Sequence, residues 1–99
     1  MYLSKAPKFE LGQLVQTLGI REKRKANTQF NKEVITAFQR YTQADWSDME
    51  FEEDIEMNNE ALATGETRIF ATYNTCEGKI YIVTEWDHSC TTILFPDEY

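Results

Sequence analysis

Ninety-nine residues make one domain's worth of chain, able to hide roughly two-thirds of its unfolded surface in a single core. Six Phe, five Tyr and two Trp within a 41% hydrophobic composition describe a folding chain and exclude a disordered tail or linker. Seventeen acidic against ten basic side chains give a net charge of −7, which disfavours direct binding to phosphate backbones, where Lys and Arg supply the affinity.

No apolar run approaches the roughly 18 residues of a membrane span. Residues 1–8 lack the apolar core of a signal peptide and read as a loose arm ending at Pro7. The expected compartment is the cytoplasm, with Cys76 and Cys90 as reduced thiols. Residues 12–20 are bracketed by glycines and fit a short strand, from Leu14 to Leu18, or an extended lead-in. The run Arg21-Glu22-Lys23-Arg24-Lys25 is a solvated helix face or loop, with contact to an anionic partner as the sharper reading.

The strongest helix is expected over 28–41, where Phe30, Val34, Ala37, Phe38 and Tyr41 form one apolar stripe behind an Asn27 or Thr28 cap. A second is expected over 49–62, capped by Asp45, Ser47 or Asp48 and ended by Gly65. Its thin apolar edge, Phe51, Ile55, Asn58, Asn59 and Leu62, places it on the surface. Trp46, flanked by acids, suits a ring tucked inward with its N–H bonded; Trp86 fits a core anchor or a contact residue equally well.

The last third organises the chain. Residues 69–73, 80–84 and 91–95 are β-branched and aromatic runs separated by turn residues, hence an antiparallel meander. In the middle run both faces carry apolar groups, as in a central strand covered at least partly on both sides.

Chemistry is sparse. The carboxylates Asp45, Asp48, Glu52, Glu53, Asp54 and Glu56 show no calcium-loop spacing, and on a helix Glu52 and Glu56 share a face from which Glu53 and Asp54 turn away. They read as a solvated face or as a partner-binding surface. Glu85, Asp87 and the single histidine, His88, fall in the second hairpin turn, with no second histidine and no spaced cysteines for zinc. Cys90 reads as an inert thiol in a strand, and the four glycines form no phosphate loop. No enzyme, metal or cofactor is expected.

Several stretches carry a likeness. Phe9, Leu11 and Gly12 with Thr17 and Gly19, then Asp45-Trp46-Ser47-Asp48, then Asn59-Glu60-Ala61-Leu62, then the closing block 82–99 resemble a family of small, uncharacterised bacterial, plasmid and prophage proteins. Its pattern runs roughly F-x-L-G…T-x-G, G-D-W-G-D, N-x-x-A and T-E-A-D-R-S-x-T-T-I-L-x-P-x-E-Y. This chain departs from it with Ala44 and Ser47 at glycine positions, Trp86 for alanine and His88 for arginine. The resemblance implies a mobile-element setting and no mechanism.

The expectation is therefore a single α+β domain over 1–99, with a three- to four-stranded antiparallel sheet and two main helices packed on one face. Its expected function is a non-catalytic acidic interaction module for a protein with a basic surface, such as a host nucleic-acid enzyme inhibited by an anti-restriction or anti-CRISPR protein. The partner-binding candidates are Asp45, Asp48, Glu52, Glu53, Glu56, Trp86, Asp87 and His88. The alternative is a small enzyme or a ligand- or metal-binding domain whose carboxylates Asp45, Asp48, Glu85 and Asp87 surround a pocket with His88. An exposed sheet edge would also permit a homodimer.

Overall fold

The computed structural model describes residues 6–65 and 67–99. Residues 1–5 of the expected loose arm lie outside them. Ala6 and Lys8 are not loose: Lys8 N donates to Thr42 O at 2.9 Å, and Gln43 Nε2 donates to Ala6 O at 2.9 Å.

The elements run β1 (Gln13–Gln16), α1 (Leu18–Ala26), α2 (Thr28–Thr42), α3 (Glu52–Thr64), β2 (Ile69–Thr75), β3 (Gly78–Thr84) and β4 (Cys90–Leu94), closed by a 3-10 turn at Pro96–Glu98. The α+β class stands. The basic run forms the body of α1, the stripe helix starts at Asn27, whose side chain accepts from Phe30 N, and Gly65 closes α3 in the left-handed region at φ 69°.

The sheet order is β1-β4-β3-β2. β2, β3 and β4 form the expected antiparallel meander, but β1 pairs with β4 in parallel, so the sheet is mixed. The cause lies in residues 10–12. His88 Nδ1 lies 2.7 Å from Glu10 O, and Thr91 Oγ1 donates to Leu11 O at 2.7 Å. Gly12, at φ +64°, lies so close to the turn that a Cβ there would fall 2.3 Å from His88 O. The chain is thus pinned at the start of β4 and can only continue alongside it in the same direction.

Helix α2 lays Phe30, Val34, Ala37, Phe38 and Tyr41 against Ile69, Ala71, Tyr73, Ile80, Ile82 and Ile93, all buried. The other face of β3 is partly covered, as its two-faced pattern predicts. Val83 and Leu94 are buried there, and Phe70 stacks on Tyr99 at 6.0 Å while meeting Tyr81 edge-on at 4.8 Å.

Helix α3 begins three residues later than expected, and none of the three proposed caps serves it. Phe51 occupies the cap position with no side-chain hydrogen bond. The helix lies along the free edge of β2, where Asn58 Nδ2 donates to Phe70 O at 2.6 Å and Asn58 Oδ1 accepts from Phe70 N at 3.1 Å. A buried amide thereby stands in for a missing strand. Asn58→Ala leaves both backbone groups of Phe70 without a partner and is expected to cost about 2 kcal/mol, read as a lower denaturation midpoint.

Candidate functional site

Arg40 sits in the last turn of α2 and gathers the next loop around its guanidinium. Its Nε donates to Asp45 Oδ2 at 2.9 Å, Nη2 to Ser47 Oγ at 2.7 Å, and Nη1 and Nη2 to Asp48 at 3.2 and 3.1 Å. Tyr73 lies beneath the guanidinium, 5.1 Å from its carbon, and donates its hydroxyl to Asp45 O at 2.8 Å. Asp48 Oδ2 also accepts from Asn74 N at 3.1 Å. Hydrogen bonds from Arg40 hold both carboxyls below the usual carboxylate range, with Ser47 adding to the effect at Asp45 and Asn74 at Asp48.

This clasp follows from how α2 ends. Ala44 N donates to Tyr41 O and Asp45 N to Arg40 O, both at 3.0 Å, which is the paired closure of a Schellman end. That closure needs a left-handed residue, and Ala44 adopts φ 58°. The turn then points Trp46 inward, where it is buried against Tyr41 at 5.7 Å and donates Nε1–H to Asn59 Oδ1 at 3.1 Å.

His88, also left-handed at φ 58°, sits in the β3–β4 turn with Phe9 edge-on at 6.3 Å. Its Nδ1 meets Glu10 O, and its Nε2 is buried with no partner. Asp87 Oδ1 accepts from Ser89 N at 3.0 Å, and the hydroxyl and amide of Ser89 hold that carboxyl below its ordinary range. Trp86 beside them is 66% exposed. This is turn chemistry, with one outward indole.

The sequence candidates thus fall into three places. Asp45 and Asp48 adjoin Asn74, at one end of β2; Glu85, Asp87 and His88 lie beyond Ile69, at the other. Those ends are five residues apart, about 17 Å, so the five residues surround no common pocket. Glu52, Glu53 and Glu56 lie on the exposed side of α3 between them. A shallow hollow lined by Glu10, Gly65, Trp86, Asp87 and His88 joins the C-terminal end of α3 to the turn. Among the described residues no group of three His, Cys, Asp or Glu is placed to hold a metal ion.

Along α3, Glu52, Glu56 and Glu60 recur every fourth residue on one face, while Glu53 and Asp54 turn progressively away from it, all exposed. Like charges at this spacing cost a helix a few tenths of a kcal/mol per pair. The first-turn acids gain some of that back from the helix dipole, but Glu60 does not. No described cation pairs with these five carboxylates. Phe51 and Met57, 64% and 66% exposed, stand among them. Sequence reasoning missed both: the helical period puts Phe51 on the buried edge, but it became the cap, outside the first full turn.

Some cations elsewhere are engaged. Lys23 pairs with Glu77 at 3.6 Å, Arg24 donates to Asn31 and Gln16, both at 2.7 Å, and Lys79 pairs with Glu50. Both cysteines are free; a hydrogen bond to Glu33 pushes the exposed Cys76 thiol up, away from a reactive thiolate. No family model matches the chain, and no curated protein or solved structure matches it either.

Two outcomes follow from the clasp. Arg40→Met strands two carboxylates that are themselves partly open to water, so the expected loss at neutral pH is about 1–2 kcal/mol. Because the aspartates' folded values are depressed, their contribution is present above about pH 4 and fades as pH falls through the folded values. The gap between wild type and Arg40→Met in urea denaturation therefore narrows from pH 6 to pH 2. Ala44→Gly relieves the left-handed strain and is expected to raise stability by about 1 kcal/mol.

Proposed function

We propose that this protein is a non-catalytic interaction module that presents α3 to a basic surface on a protein partner. The observation that carries this reading is the face of α3. Glu52, Glu56 and Glu60 repeat there at helical spacing without a described cation, and Phe51 and Met57 on the same helix are offered to solvent. Beyond the first turn, where the helix dipole favours acids, a chain folding for stability alone gains nothing from repeating like charges. A docking helix uses them, since the carboxylates steer an encounter and the apolar side chains hold it.

The net charge of −7 and the resemblance to plasmid and prophage proteins favour a partner whose basic surface ordinarily holds nucleic acid. Occupying such a groove with a rigid row of carboxylates would make this protein an inhibitor of a host defence enzyme. Trp86 and Asp87, at the C-terminal end of α3, extend the surface. Asp45 and Asp48 support it indirectly, because Arg40 neutralises them while fixing the loop that leads into the helix.

The test is a tagged pull-down from bacterial lysate at about 50 mM and about 500 mM salt, where the screening length falls from roughly 14 to 4 Å. The expected result is a nucleic-acid-acting enzyme retained only at low salt. Glu52→Lys, Glu53→Lys and Glu56→Lys combined are expected to weaken its binding at least 100-fold, or about 3 kcal/mol. Unchanged affinity of the folded triple variant would sink this reading.

A further inference from the structure

The two edges of the sheet are treated differently. At β2 the edge is closed by Asn58 of α3. At β1 all four residues are exposed, and no described residue covers the outer side. Gln13 N donates to Ser89 O at 3.0 Å and Thr17 N to Ile93 O at 3.1 Å. In a parallel ladder bonding residues alternate, so the odd positions face β4, while Leu14 and Gln16 turn both N–H and C=O outward.

We infer that this edge pairs with the same edge of a second copy, antiparallel, about a two-fold axis through Val15. Leu14 then lies opposite Gln16 of the other copy, and Gln16 opposite its Leu14. Residues that direct both backbone groups outward are what a hydrogen-bonded antiparallel pair requires, and two such pairs close reciprocally. Val15 meets its own counterpart at the axis, on the sheet face away from α1. The two four-stranded sheets become one continuous sheet.

Charge selects a second copy over another partner. Residues 11–20 carry no charged side chain in a chain that is 27% charged, and Arg24, which donates to Gln16 Oε1 at 2.7 Å, reaches β1 on the face opposite Val15. A two-fold contact sets each group against its like, so any charge at the axis would repel itself. A partner recognised by charge would need the opposite composition. The edge also lacks the usual guards against pairing: β1 contains no Lys and no Pro. Leu14, Val15 and Leu18, at 40%, 38% and 69% exposure, gather around it.

The contact is small. Four residues span about 13 Å of strand, well under the extent of a standard stable interface, so the dimer is weak, with a dissociation constant on the order of 100 μM. It is independent of the acidic face of α3, which lies along the opposite edge.

Sedimentation of the full chain from about 10 μM to about 1 mM brackets that constant. The mean mass is expected to rise from 11.6 kDa towards twice that value. Leu14→Pro deletes only an outward donor, and Val15→Lys places two ammonium groups face to face at the axis. Both, folded by circular dichroism, are expected to remain at 11.6 kDa. Amide exchange on the wild-type chain decides the matter even if the variants unfold. Leu14 and Gln16 should gain protection with concentration, while Val15 is protected throughout. A monomer at every concentration, or a dimer in which the Leu14 and Gln16 amides still exchange freely, overturns the inference.

Discussion

Three buried hydroxyls run through the centre of this protein and tie its parts into one frame. Tyr41 of α2 meets Thr84 of β3 at 2.7 Å, Thr84 meets Thr91 of β4 at 2.7 Å, and Thr91 reaches Leu11 O at 2.7 Å. At the other end Tyr41 Oη lies 3.2 Å from Ile69 O. Three hydroxyls carry three protons, and four links need four. Tyr41 and Thr91 face carbonyls at the two ends, and within the line either hydroxyl of each pair can donate. Burial pushes the Tyr41 phenol well up, keeping it neutral and able to donate. A buried polar line of this kind rigidifies only when it is satisfied, and here that demands helix, meander and N-terminal segment together.

Other residues distant in sequence are joined around the same frame. Glu98 of the closing block accepts from Thr17 Oγ1 at 2.7 Å and sits where a side chain on Gly19 would clash. Gly12 makes room for the turn at His88, and Trp46 reaches Asn59. These residues are thus joints between neighbouring segments.

What remains outward is uneven. On the α1 side, Lys23 and Arg24 are drawn into contacts with the hairpin turn and with α2, and the bare edge of β1 is uncharged. On the α3 side, carboxylates stand free beside Phe51 and Met57. The described surface therefore has two regions of opposite character, one uncharged in its own sequence and one rich in carboxylates.

The local patterns were legible in the residues themselves. Period-four apolar spacing sufficed for α2, alternating β-branched runs for the meander, and Gly65 for the end of α3, because each depends on neighbours a few positions away. Trp46 was readable as core for a similar reason, a large ring flanked by acids at a turn. The direction of β1 was not, since Gln13–Gln16 has the same composition whether it pairs parallel or antiparallel; the bonds from residues 10–12 to the β3–β4 turn chose. Nor was the use of Asp45 and Asp48. As isolated residues they suit a helix cap or an open acidic patch, and only the approach of Arg40 and Asn74, from elements on either side, made them a clasp. Sequence by itself determined α2, the meander and how much charge the chain carries, but not that Leu18 leaves the strand expected over 14–18 to open α1; tertiary structure decided which of those charges are free, because pairing depends on distances that no local pattern encodes.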